Sequence, residues 1–359
     1  PSSRAGLAGM VAEPGAAPPR RSSGLLRRQS SSATLDPCPE CGRGRDRMRR
    51  EERPRGHERF WLNGRFVSDR GAAISLLDRG LLFGDSLYEV IRFYARRTFL
   101  ADEHLDRLFR EATEIELPER FTREMIGRAI RGLVARSPAP DGLVLLHWTR
   151  GEGPRRLAPP PGLRGNVFAV RLDLPLVPGP LRRRGVDVIA VPDERWHGAH
   201  IKSTNLLASV LARTRAARAG AWEAVLFRGR GARSRVTEAT GSSVFVVRRG
   251  ILATPAVRGL LPGITRSAIL LAARRAGIRA EERTVLLSEL RNADEAFLTA
   301  TSMEILPIAR VDAVPLRCAV PGPTTRKLVR AFARLRDAAL AETPPVRPIG
   351  RGGARRTPE

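Results

Sequence analysis

The sequence predicts a two-domain α/β protein of the α+β type, with a small N-terminal domain at 58–175, a linker at 176–184 and a larger domain at 185–336. Three observations carry that expectation. Two blocks of chain each mix short β-branched or aromatic runs with segments of 3.6-residue apolar period. Between them, "LDLPLVPGPLRRRG" is interrupted by prolines and reads as a linker. Both ends, 1–57 and 337–359, are rich in Pro, Gly, Ser and Arg without periodicity and are expected to be disordered tails.

Order begins at "RFWLNGRFVS", where Asn63-Gly64 between two apolar runs signals a tight hairpin. A strand is expected through Tyr88–Tyr94. The helix after it carries Leu105, Leu108, Phe109, Ala112 and Ile115 on one face. A second helix near 122–136 and a strand at "LVLLHW" complete the first unit. In the second unit "VDVIAVP" reads as a buried strand, and Asn205–Ala219 as a helix with Leu206, Leu207, Val210 and Leu211 turned inward and Gly220 as its stop. "WEAVLF" and "SSVFVVRRGILATP" read as antiparallel strands turning at Arg249-Gly250. "LLPGITRSAILLAARRAGI" is a loop entering a helix at Ile264 and ending at Gly277, and "EAFLTATSMEILPIARVD" is a strand, a polar turn and a strand.

The charge narrows the partners without settling the fold. The chain holds 63 Lys+Arg against 37 Asp+Glu, a net charge of +26, and only two of the cations are lysines, Lys202 and Lys327. The excess soaks the whole chain and forms no single basic block, so it reads first as a genome-composition bias and only second as a nucleic-acid footprint. No aromatic residues interleave the tail arginines as single-strand binding needs. Cys38, Cys41 and Cys318 are too few for a disulfide framework and suit a reducing cytoplasm. The Cys38–Cys41 pair lacks the second half of a zinc site, no run approaches membrane length, and "AGLAGMVAEPG" is interrupted too soon to be read as the apolar core of a secretory signal.

Four polar features of the second domain share one chemistry. Lys202 lies ahead of a helix start, and Glu238 just before a strand. Gly263-Ile264-Thr265 opens a helix whose free N–H groups and positive dipole end favour an anion. Thr301-Ser302 offers hydroxyls to the same anion. An amine, a carboxylate and a phosphate site are what pyridoxal phosphate requires. Alone, each is ordinarily a solvated surface group; the ordered motifs around them decide otherwise. From Phe60 to about Leu316 the segments "DRGLLFGDSLYEV", "EHLDRL", "TRGEGPRR", "DERWHGAHIKSTNLLASVLA", "RVTEATGSSVF", "LLPGITR" and "LTATSMEILPI" resemble the class IV aminotransferases, pyridoxal-phosphate enzymes of fold type IV, and among them the D-amino-acid aminotransferases.

The resemblance implies a homodimer with the cofactor in the cleft between the domains, and a ping-pong exchange between an amino acid and a 2-oxo acid. It makes Lys202 the Schiff-base lysine and proton shuttle, a task that arginine, always charged, cannot perform. It places Glu238 on the pyridine nitrogen, and Arg107 on the phosphate with Ile264, Thr265 and Thr301. Leu261 would pack on the ring. Tyr88 would lie near the substrate and Arg155 would bind its carboxylate, reaching in from the partner subunit. The chain departs from the D-specific pattern where Arg155-Arg156-Leu157 stands for an Arg-x-His pair, at Gly84-Asp85-Ser86, and at Ser243. The rival readings are an aminodeoxychorismate lyase or a branched-chain L-aminotransferase on the same fold, and an arginine-rich nucleic-acid binder on an inactive scaffold.

Overall fold

The computed structural model describes residues 59–173 and 177–349; the expected N-terminal tail and its cysteine pair lie outside them. A hairpin opens the first domain. β1 (Phe60–Leu62) and β2 (Arg65–Val67) turn at Asn63 and Gly64, both at positive φ, as a tight turn between right-twisted strands requires. Then come α1 (Arg79–Phe83), β3 (Ser86–Tyr94), β4 (Arg97–Thr98), α2 (Ala101–Glu114), α3 (Arg123–Ala135), β5 (Gly142–Thr149) and β6 (Asn166–Leu172). The strands form an antiparallel sheet in the order β2-β1-β6-β5-β3-β4. α2 and α3 cover one face of it, burying Leu105, Leu108, Ile126, Ile130 and Leu133 against Ile91, Val144 and Leu146.

The second domain runs α4 (Gly179–Arg184), β7 (Val186–Pro192), α5 (Leu207–Arg218), β8 (Glu223–Arg228), β9 (Arg235–Ala239), β10 (Ser243–Arg248), β11 (Ile251–Thr254), α6 (Ile264–Arg275), β12 (Ala280–Glu282), α7 (Leu287–Arg291), β13 (Glu295–Ala300), β14 (Glu304–Val311), β15 (Val314–Pro315) and α8 (Pro323–Glu342). Its mixed sheet has the order β12-β11-β10-β13-β14-β7-β8-β9, with β15 on β14. A turn closed by Ala239 N–H on the Ser242 carbonyl joins β9 to β10, so the sheet curls on itself. α6 and α8 pack Ile269, Ala272, Leu328 and Phe332 on its Phe245 and Phe297. Phe99 of the first domain meets Phe332 edge-on at 6.0 Å, fastening the two domains together.

Four expectations are corrected here. The helix after Lys202 starts at Leu207, not Asn205. Its inner face is Ser209, Ala212 and Ala216, while Leu206, Leu207, Val210 and Leu211 face out. Small residues let α5 lie close against Val191, Ala224 and Leu226, and that register sends the large side chains outward. The tail expected from residue 337 lies instead within α8, which runs to Glu342. Beyond it Val346 and Ile349 donate to the carbonyls of Arg96 and Ala135. Part of the expected linker is helix α4, started by proline at its first turn.

Candidate active site

A cavity of about 200 Å³ opens between the domains. Tyr88 of β3 and Arg107 of α2 line it from the first domain; Lys202, Glu238, Leu261, Ile264, Thr265 and Thr301 line it from the second. Lys202 belongs to a segment that pairs like a short strand with β3. Its carbonyl accepts from Tyr88 N at 3.0 Å, Thr204 N donates to the Ser86 carbonyl at 3.2 Å, and Leu87 bridges to Ser203. The amine Nζ sits 4.1 Å from the centroid of the Tyr88 ring, a cation–π approach that keeps the side chain turned into the cavity.

At the opposite wall Glu238 lies within β9, not just before a strand as expected, and is almost fully buried. Its Oε1 accepts from Arg195 Nη1 at 3.0 Å and from Leu261 N at 3.2 Å, which leaves Oε2 for the cavity. Arg195 is held in turn by Asp193, through Nε at 2.9 Å and Nη2 at 3.1 Å. Burial pushes the Glu238 carboxyl above the usual carboxylate range, with the Arg195 charge opposing the rise. Asp193 goes the other way: burial would raise it, but the bonds and charge of Arg195 outweigh that and lower it.

The third wall is built for an anion. α6 starts at Ile264 with no side chain capping it, so its first N–H groups and dipole end face the cavity beside Thr301. Arg107 is clamped below by Glu89 through Nε at 2.6 Å and Nη2 at 2.9 Å, and by the Pro262 carbonyl through Nη1 at 2.8 Å. A guanidinium has about five N–H donors, so the rest of the fork stays free for a ligand. His104 completes the support, Nδ1 to Glu89 Oε2 at 2.7 Å. Burial would raise Glu89, but Arg107 and His104 outweigh it and lower the carboxyl from 4.5 to about 2. Its stabilising contribution is therefore complete above about pH 4.5 and is lost as pH falls through about 2. Glu89→Leu, leaving Arg107 buried and unpaired, is expected to cost about 3–5 kcal/mol at neutral pH. Melting curves across pH check this: the gap from wild type should close only toward pH 2.

Against known proteins, the profile of the amino-transferase class IV family matches residues 86–311. The chain belongs to the class IV aminotransferases. It is 36% identical to the D-alanine aminotransferase of Bacillus licheniformis over 283 residues, which is 79% of this chain and 97% of that protein. The D-alanine aminotransferase of Listeria monocytogenes serotype 4b is also 36% identical, over 76% of this chain and 93% of its own. Among solved structures, a branched-chain aminotransferase from Thermoproteus uzoniensis with norvaline superposes with a TM-score of 0.73 at 29% identity, covering 81% of this chain and 100% of that one. The branched-chain amino acid aminotransferase from Escherichia coli gives 0.69 at 26%, covering 78% and 95%.

Class IV aminotransferases use pyridoxal phosphate, and the aminotransferase cavity offers what that group needs: an uncapped helix start beside Arg107 for an anion, an amine and an unpaired carboxylate oxygen. Arg155 is the one expected site residue absent from the cavity. It is exposed, 6.0 Å from the Phe83 ring, in a loop held by Arg79 on the carbonyls of Arg156 and Leu157. Sequence reasoning missed Glu89, Asp193, Arg195 and Glu111. A signal existed for the first: an acid at an inward position of the apolar strand "SLYEVIRFY" demands a cationic partner. Asp193 and Arg195 stand two residues apart in "DERW", a spacing that lets both turn to one side of an extended segment.

Among the described residues no group of His, Cys, Asp and Glu is arranged to hold a metal ion, and no helix is long and apolar enough to cross a membrane.

Proposed function

We propose that this aminotransferase moves the amino group of a D-amino acid to a 2-oxo acid, as a homodimer in the cytoplasm, with Lys202 as its catalytic lysine. The observation that carries the reading is the meeting of Lys202, Glu238 and the anion wall of Arg107, Ile264, Thr265 and Thr301 on one cavity. The preference for D-amino acids leans on relatives named D-alanine aminotransferase at 36% identity.

When bound, pyridoxal phosphate supplies an aldehyde that takes up amines and a ring that accepts the electron pair left on the α-carbon when its proton departs. The chain's own residues do the rest. Arg107, with the amides of Ile264 and Thr265 and the Thr301 turn, grips the phosphate and fixes the ring's place. Glu238 Oε2 would hold a proton on the ring nitrogen, and Arg195 opposes the loss of the Glu238 charge that burial favours. Leu261 packs on the ring and excludes water. The Lys202 amine, resting 4.1 Å from the Tyr88 ring, would take up and return the substrate's α-proton. Arg155, exposed and outside the cavity of its own chain, would bind the substrate carboxylate from the partner subunit.

Exposed apolar side chains support the dimer. Leu81 of α1 and Leu207 of α5 are 62% and 71% exposed, and their segments meet where Asn205 lies against Gly84. The double variant Leu81→Asp/Leu207→Asp is expected to halve the mass measured by light scattering; an unchanged mass contradicts this interface.

A second reading, a branched-chain L-aminotransferase, is favoured by the solved structures named above. Half-reactions separate the two readings. D-alanine should convert the enzyme to its aminated form at least about 10-fold faster than L-leucine does, a gap of about 1.4 kcal/mol. The reverse order establishes the second reading.

A further inference from the structure

We infer that Glu111 is a positioning residue for the transamination step, tethering the main chain of Lys202 to the helix that carries Arg107. The inference rests on the reading of Lys202 as the catalytic lysine. Glu111 is 3% exposed, on the buried face of α2 one turn after Arg107. Its Oε2 accepts from the Lys202 main-chain N–H at 2.7 Å. That is its one side-chain hydrogen bond among the described residues, for Oε1 is buried without a partner. A carboxylate left half-satisfied in the interior is costly. What it provides in return is the bond to the Lys202 main chain, with a negative charge near Arg107.

The surroundings explain why a tether is needed there. The segment from Trp196 to Lys202 is a wall between two open spaces. Trp196, Ala199, Ile201 and Lys202 line the cofactor cavity, whereas His197 and His200 line a separate cleft of about 420 Å³ with Glu111, Glu114 and Arg110. β3 holds it from one side through Tyr88 and Ser86, and α2 holds it from the other, through Glu111 on the part-buried Lys202 N–H and through Glu114 in an exposed contact with the His200 ring at 2.8 Å; of these only Glu111 reaches the lysine itself. One helix thereby fixes both the phosphate grip and the origin of the lysine side chain. That shared origin would keep their spacing fixed while the amine moves to the α-proton, a transfer sensitive to misplacement of about 1 Å. Burial raises the Glu111 carboxyl above its ordinary range, and the Lys202 N–H and the Arg107 charge oppose that rise.

The test uses Glu111→Met, which keeps the volume and removes the acceptor, and Glu111→Gln, whose amide oxygen can accept the same bond. Full-length proteins are loaded with pyridoxal phosphate, and kcat and KM are measured for whichever alanine enantiomer the wild type turns over. Glu111→Met is expected to melt no lower than wild type, to gain the absorbance band of the attached cofactor, and to lose about 10-fold or more in kcat with KM within about twofold. Glu111→Gln should return kcat to within about threefold of wild type. Wild-type kcat in Glu111→Met overturns the inference. So does a loss that Glu111→Gln does not restore, a change confined to KM, or a Glu111→Met protein that fails to fold or to attach the cofactor. These outcomes differ from failure of the underlying reading, in which wild type gains no such band or Lys202→Ala retains it.

Discussion

Lys202→Ala is expected to abolish measurable transamination, with at least about 10²–10⁴-fold lost from the proton transfer alone. The loss follows from chemistry and not from folding, since the side chain is partly exposed and its one ring contact is with Tyr88. Lys202→Arg should be equally inactive. A guanidinium keeps its proton under all working conditions, so it can neither attack an aldehyde nor remove a proton from carbon. Both variants should still take up pyridoxal phosphate without attaching it, because Arg107 and the start of α6 are untouched. Steady-state kinetics at saturating cofactor measure the first effect, and equilibrium dialysis the second. Activity of Lys202→Arg within about 10-fold of wild type contradicts the assignment.

Glu238→Gln is expected to lower kcat by about 10²–10³-fold, the scale on which a preorganised charge partner acts. The amide cannot keep a proton on a ring nitrogen by charge, so the electron sink weakens while attachment through Lys202 remains. A second effect adds to it: the largely buried Arg195 Nη1 loses its carboxylate partner, although Asp193 still neutralises the guanidinium. KM should change less than kcat, because the substrate meets the cofactor and not Glu238. Equal kcat in Glu238→Gln and wild type contradicts the role of the carboxylate.

Much of the fold was legible because local signals and tertiary structure agree. Asn63-Gly64 forces a hairpin by backbone conformation alone, and α6 begins at Ile264 and ends before Gly277 as its pattern dictates. α5 differs from the expectation because its buried face carries only Ser and Ala while its large apolar side chains stand outward, so apolar bulk alone does not tell which face meets the core. α8 was cut short because Ala and Arg near its end resemble the tail composition, while Leu335, Leu340 and Ala339 pack on the α6 layer. In the site, Lys202, Glu238 and the α6 start were legible as separate chemical types, and motif order joined them. Glu89, Arg195 and Glu111 were not, because a buried charge is recognised by its partner. Those partners lie 18 residues away for Glu89 and Arg107, 43 for Arg195 and Glu238, and 91 for Glu111 and Lys202. No sequence window joins such pairs; the meeting of β3, α2, β9 and the Lys202 segment does.

The most direct measurement is the visible absorbance spectrum of wild type and Lys202→Ala, each mixed with pyridoxal phosphate and then with D-alanine or L-alanine. The account predicts a band of covalently attached cofactor in wild type that D-alanine discharges and L-alanine leaves, and no such band in Lys202→Ala. An equal band in both proteins, or none in wild type, would contradict it.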